Sequence, residues 1–169
     1  MMKVFIDALK HSVKLPNKKD AFALNRIGMD YTVIYLFIII AIASIPNLIE
    51  QLLTTEFSAQ IHPFFLAIYF FIFNYLVLLV MIFSLLSLFA YIMTLLAKML
   101  QRKLLFSLLW KMSAFALTIP LIIFTVLSYF YPLTYIFVSL AVVYMTFVLV
   151  KVILIYPKRR VWSIFWFIF

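Results

Sequence analysis

The sequence lacks cysteine altogether and has a single glycine, Gly28, among its 169 residues. Without cysteine the chain can form no disulfide bond, no thiolate metal site and no palmitoylated or catalytic thiol. Charged residues are also scarce, at 11% of the chain, whereas about a quarter is typical of a soluble domain. These absences exclude thiol chemistry and argue against a soluble protein.

Apolar residues make up 69% of the chain, aromatic residues 20%, and the mean hydropathy is +1.23. Several uncharged runs reach the roughly 20 residues that a helix needs to cross a hydrocarbon core of about 30 Å. A membrane β-barrel would instead alternate apolar and polar residues in segments of about 10. The sequence therefore predicts an all-α integral membrane protein.

Four transmembrane helices are predicted, at about residues 31–49, 64–97, 112–131 and 133–150. The second run is the ambiguous one, because a helix over 64–97 would be about 51 Å long and could in principle be two short crossings. Its middle contains no glycine, proline or charge with which to build a turn. We expect a single long helix that tilts or extends beyond the lipid.

The distribution of the 14 Lys and Arg residues supports the single crossing. One crossing leaves all of them on one side of the membrane, while two crossings would translocate the last eight. We therefore predict a multi-pass protein of the cytoplasmic membrane with both termini in the cytoplasm. We then expect the net charge of +9 to bind anionic lipid headgroups and not nucleic acid. The predicted interfacial anchors are Lys98, Arg102, Lys103, Lys111, Lys158, Arg159, Arg160, Trp162 and Trp166.

The two ends of the chain flank the transmembrane domain of residues 31–155. Residues 1–30 are predicted to form a cytoplasmic amphipathic interfacial segment of two short helices, the second capped by Asp20. A solvated basic flank explains the same pattern equally well. Residues 156–169 are basic and then aromatic, and the final nine, VWSIFWFIF, are too few to cross a bilayer. We expect this short aromatic tail to lie in the interface or to dock on another subunit.

The predicted spans carry almost no chemically reactive groups. All five carboxylates lie outside the spans or at their ends, and His11 and His62 are isolated in the sequence. We therefore predict no enzyme activity, no cofactor and no metal site. An intramembrane enzyme would need a charged pair at depth, such as Glu50 or Glu56 beside His62.

Small and polar residues within the spans are candidates for helix packing or partner binding, because such groups hold transmembrane helices together. Asn74 is the most polar group well inside a span. Ser84, Ser87 and Thr94 project within about 80° of one another at 100° per residue. The complete set is Asn74, Ser84, Ser87, Thr94, Ala114 and Thr118.

The N-terminal stretch contains Phe5, Ser12, Pro16, Lys18, Phe22 and Arg26, followed by a span from about Tyr31. This pattern resembles an uncharacterised bacterial family of polytopic membrane proteins. Some members of that family are labelled maltodextrin utilisation proteins, and the family is similar to the Yip-type membrane proteins. The resemblance implies a polytopic membrane protein and no active site. This chain departs from the family in its short segment after the first span.

These patterns favour a non-catalytic accessory or scaffold protein that binds a partner membrane protein, such as a transporter or an envelope enzyme. The alternative is a small oligomeric channel or carrier for an apolar or lipidic substrate. Membrane lipids with anionic headgroups are the other expected partners on the cytoplasmic side.

Overall fold

The computed structural model describes residues 2–54, 62–102, 104–128 and 135–157. In these ranges the chain forms eight α-helices and one π-helical segment, Phe70–Tyr75. The α-helices are α1 (Met2–Val13), α2 (Lys18–Asn25), α3 (Met29–Thr54), α4 (Pro63–Tyr69), α5 (Leu76–Met99), α6 (Phe106–Ala116), α7 (Thr118–Leu127) and α8 (Tyr135–Ile155).

Four helical stretches are long and apolar enough to cross a membrane, which confirms the predicted number of spans. They are Met29–Leu53, Phe64–Met99, Phe106–Leu127 and Ile136–Ile155. The first span begins and ends beyond the predicted 31–49, because α3 continues through Pro46 to Thr54 without a break. The aromatic tail lies outside the described residues, and the orientation of the spans in a membrane stays a prediction.

The second span is one helix of 36 residues, as predicted, since α4, the π-helical segment and α5 follow one another directly. The π-helical segment was not predicted. Two aromatic pairs stack along it, Tyr69 with Phe73 at 4.8 Å and Phe71 with Tyr75 at 4.9 Å between ring centroids. The Tyr75 hydroxyl also donates a hydrogen bond to the Phe37 carbonyl of α3 at 2.9 Å. These contacts fix the wider turn against the neighbouring span.

The third span is interrupted at Leu117, between α6 and α7. Pro120 lies one turn beyond the interruption and has no N–H to offer the Ala116 carbonyl, so the regular α-helical bonding cannot continue there. This span is also the central one. Half of the residues in its most apolar stretch are buried inside the protein, whereas 22% of the corresponding residues of the second span are buried. Helix α6 contacts α1, α2, α3, α5 and α8.

Helices α1 and α2 pack on the transmembrane helices and are joined to each other by one polar contact. The Asp20 carboxylate accepts a hydrogen bond from His11 Nδ1 at 2.6 Å. The prediction that Asp20 caps the second helix is wrong, because α2 begins earlier, at Lys18 after Asn17. His11, isolated in the sequence, therefore gains a partner nine residues away.

Candidate functional site

Four of the six packing candidates lie inside the helix bundle. The Ser87 hydroxyl accepts a hydrogen bond from Trp110 Nε1 of α6 at 3.1 Å. The hydroxyls of Thr118 and Tyr35 are 2.7 Å apart and fully buried, so they join α7 to α3. Thr94 is buried and donates to the Ala90 carbonyl of its own helix, while Ala114 lies against α5 and α3 in the core. All four serve contacts within the chain.

Asn74 and Ser84 differ from the other four because they are not engaged in the bundle. Asn74 lies half-buried in the π-helical segment, and Ser84 is exposed on α5. Among the described residues, neither side chain makes a hydrogen bond. Single π-turns inside α-helices occur frequently at functional sites, because they re-aim the side chains around them. The amide of Asn74 therefore lies half-buried at this wider turn, without a hydrogen-bond partner among the described residues.

A regular stripe of outward-facing residues continues from Asn74 along α5. Successive members are three and four residues apart, the spacing of the a and d positions in a coiled coil. Every apolar member is at least 43% exposed. We call this stripe the α5 seam; it consists of Asn74, Val77, Met81, Ser84, Leu88, Tyr91 and Leu95.

The α5 seam lies on the opposite side of the helix from the residues that pack into the bundle. At 100° per residue, the two sets are about 160° apart around the helix axis. The buried set is Leu79, Leu86, Ala90, Met93, Thr94 and Ala97. One side of α5 thus packs into the bundle, and the other is exposed among the residues that the structure describes.

The basic residues near the ends of the spans also have distinct roles. Lys98 is exposed in the last turn of α5, as an interfacial anchor would be. Arg102 is half-buried and donates a hydrogen bond to the Tyr156 carbonyl at the end of α8. Lys111 Nζ donates to the carbonyls of Asn25 at 2.8 Å and Ile27 at 2.9 Å. Arg102 and Lys111 therefore tie separate parts of the chain together.

The contact of Lys111 is the feature that sequence reasoning missed, although a signal for it was present. Lys111 stands alone among apolar residues at the start of the third span, and a lone cation in such a position usually finds acceptors. Arg102 similarly reaches Tyr156, whose hydroxyl is buried, and this burial raises the pKa of Tyr156. The remaining predicted anchors, Lys103, Lys158, Arg159, Arg160, Trp162 and Trp166, lie outside the described residues.

An apolar cavity of about 520 Å³ lies between α1 and the first turns of α3. Its walls include Val4, Phe5 and Ala8 from α1 and Ile34, Tyr35 and Ile38 from α3. The part of the chain that the structure describes contains no group of three His, Cys, Asp or Glu residues that could hold a metal ion. The candidate sites in the described residues are thus packing surfaces and one apolar cavity.

A family model described as a protein of unknown function, DUF1189, matches residues 50–153, which is more than half of the chain. The chain belongs to this family. The match includes the whole α5 seam and both helices of the third span, whereas α1, α2 and most of α3 precede it. It therefore does not cover the N-terminal residues on which the resemblance to maltodextrin utilisation and Yip-type proteins rests. No match was found among curated proteins or among solved structures.

Proposed function

We propose that this member of the DUF1189 family is a non-catalytic membrane scaffold that binds another membrane protein along the α5 seam. The observation that carries the proposal is the position of Asn74, whose amide is half-buried within a span and makes no hydrogen bond within the described residues. In hydrocarbon no water is available to satisfy such a group. A neighbouring helix is the natural source of the missing donor and acceptor.

The polar and apolar residues of the α5 seam contribute differently to binding in this proposal. An interhelical hydrogen bond in a membrane contributes about 0.6 kcal/mol on average and about 1 to 2 kcal/mol in model peptides. Asn74 alone would therefore give only a weak association. A single Asn at a coiled-coil a position chiefly sets the register and the choice of partner. Met81, Leu88 and Leu95 supply the packing along the rest of the seam.

The partner fits a simple chemical description: a transmembrane helix with an amide, hydroxyl or imidazole at the depth of Asn74. A transporter or an envelope enzyme of the bacterial cytoplasmic membrane is the kind of protein that we propose. Both termini of the scaffold lie in the cytoplasm in this proposal. The N-terminal resemblance to maltodextrin utilisation and Yip-type proteins supports the placement among polytopic membrane proteins.

Site-specific photo-crosslinking in native membranes tests the proposed surface. A photo-reactive residue at Met81, which is 62% exposed on the seam, is compared with one at Val143, which is 65% exposed on α8. We expect a discrete protein adduct from position 81 and only lipid adducts from position 143. Protein adducts of equal yield from both positions would show non-specific crowding and reject the seam.

The substitution Asn74→Leu provides the decisive second measurement. It removes the amide while keeping an apolar side chain of similar size, and we expect the adduct from position 81 to fall about fivefold, the equivalent of about 1 kcal/mol. Asn47→Leu makes the same chemical change at an exposed position of α3 and should leave the adduct unchanged. An adduct that is insensitive to Asn74→Leu would contradict the proposal.

A carrier or channel formed by self-association is the second candidate function. The apolar cavity between α1 and α3 favours it, because the cavity offers space for an apolar or lipidic molecule. In the same crosslinking experiment, an adduct of twice the 19.9 kDa mass of the chain would favour this candidate. A heterologous adduct would favour the scaffold.

A further inference from the structure

The cavity between α1 and α3 lies at the boundary of the first span. One wall begins at Ile27 and Tyr31, where the chain enters α3, and it continues along the exposed residues Ile34 and Ile38. These two residues are 44% and 40% exposed, so the cavity is continuous with the outer side of the span. Helix α1 covers it from the other side with Val4 and Phe5.

The walls of the cavity select an apolar occupant. A water molecule needs two to four polar partners to remain in a cavity, and the lining here is almost wholly apolar. An opening beside an apolar span at the membrane boundary is filled from the adjacent hydrocarbon. An acyl chain meets these conditions, because it is already present in the adjacent lipid and needs no polar contact along its length.

The charges around the cavity select the headgroup. Residues 1–30 carry six Lys or Arg against three Asp. Three of the cations are exposed next to the cavity helix, Lys3 and Lys10 on α1 and Lys14 in the turn directly after it. Basic side chains next to a membrane surface attract anionic lipids. Tyr31 is 44% exposed at the start of the span, where an aromatic residue with a hydroxyl group suits the headgroup level.

We propose that the cavity is a lipid-binding site, in which α1 holds one acyl chain of an anionic phospholipid against α3 while the basic residues of α1 face the headgroup layer. The site is independent of the α5 seam, which is on another span. Helix α1 thereby covers a lipid-binding site in addition to lying at the membrane surface.

The test uses the full-length protein in nanodiscs of phosphatidylglycerol that carries a diazirine in its acyl chain. After illumination, mass spectrometry locates the adducts. We expect adducts to concentrate on the lining residues of α1 and α3, several-fold above those at Val138 and Val143, which are lipid-exposed on α8. Equal labelling of all lipid-exposed residues would overturn the proposal, as would occupation of the cavity by a second copy of the chain.

Two pairs of matched substitutions separate cavity filling from general damage. Ile34→Trp fills the cavity, while Ile45→Trp changes a residue of the same helix with the same 44% exposure outside it. Ile6→Trp and Val13→Trp form the corresponding pair on α1, at 45% and 48% exposure. We expect a several-fold loss of cavity adducts in the first member of each pair only. Retained adducts in both cavity variants, or equal losses in cavity and control variants, would overturn the proposal.

The headgroup preference is tested by removing charge from α1 and the turn directly after it. The triple variant Lys3→Gln, Lys10→Gln, Lys14→Gln should lose several-fold in its preference for photo-reactive phosphatidylglycerol over phosphatidylcholine. The control is the double variant Lys98→Gln, Lys151→Gln, which removes exposed cations from α5 and α8. An unchanged preference in the triple variant would refute the choice of an anionic lipid.

Discussion

Lys111 shows at the scale of single residues how a cation is accommodated next to an apolar span. Its ammonium group donates to two carbonyl groups at the end of α2 and in the connection to α3, where no further helical N–H groups are available to bind them. The favourable charge of a Lys next to helix C-terminal carbonyls adds to the contact. One side chain thereby holds the N-terminal helices on α6.

We predict that Lys111→Met loosens α1 and α2 from the bundle. The variant keeps the length of the side chain but leaves two carbonyl groups without their donor, which costs about 1 to 3 kcal/mol for a buried group. Hydrogen exchange of residues 18–28 in detergent should become faster, and the midpoint of thermal unfolding should fall. Lys98→Met removes an exposed cation and is the control; an equal effect of both variants would show that charge alone matters.

We predict a small but measurable coupling between Tyr35 and Thr118. Their hydroxyls are 2.7 Å apart and fully buried between α3 and α7. A double-mutant cycle with Tyr35→Phe and Thr118→Val should give about 0.6 kcal/mol, the average for side-chain hydrogen bonds between transmembrane helices. Equilibrium unfolding in mixed micelles measures it. A coupling energy of zero would mean that each hydroxyl finds another partner when the first is removed.

At the scale of helices, hydropathy predicted which segments span but not which sides of them pack together. Ser84, Ser87 and Thr94 fall within a narrow sector of α5, yet Ser87 and Thr94 face the bundle and Ser84 faces away from it. The sequence cannot separate them, because lipid is as apolar as the bundle interior and the usual contrast between core and surface is missing. The π-helical segment escaped prediction for a related reason, since its fixing contact, Tyr75 to Phe37, joins residues 38 positions apart.

The end of α5 is another feature without an obvious sequence signal. Gln101 has a φ of 56°, in the left-handed region, and its N–H binds the Lys98 carbonyl at 2.9 Å. The N–H of Arg102 binds the Ala97 carbonyl, also at 2.9 Å, which completes a Schellman motif. Glycine usually occupies the left-handed position, so its absence concealed the motif.

We predict that Gln101→Gly stabilises the protein by about 0.5 to 1 kcal/mol. A left-handed conformation costs a non-glycine residue about 1 to 2 kcal/mol, part of which is offset by the greater freedom of glycine in the unfolded chain. Leu100→Gly, at φ −78°, relieves no left-handed conformation and also removes an apolar side chain, so it should destabilise. The measurement is unfolding in mixed micelles. A decrease in stability for both variants would show that Gln101 contributes contacts that outweigh its backbone cost.

At the scale of the whole molecule, hydrogen bonds from basic side chains connect several chain segments at one end of the bundle. Arg102 joins the end of α5 to the end of α8, and Lys111 joins the start of α6 to the end of α2. The ends of α5 and α8 and the start of α6 thus lie together beside the N-terminal segment, which includes α2. This arrangement supports the proposal, first made from charge counting, that the basic segments share one side of the membrane.

We predict the orientation of the bundle from this clustering, and the absence of cysteine makes it directly testable. Single cysteines are introduced by His62→Cys, before the second span, and Leu105→Cys, which is 75% exposed between the second and third spans. In intact cells a membrane-impermeant maleimide should label only position 62, because the positive-inside rule keeps Lys98, Arg102 and Lys111 in the cytoplasm. Permeabilised cells should show both labels. Labelling of both positions in intact cells would contradict the single crossing of residues 64–99, and labelling of position 105 alone would invert the protein.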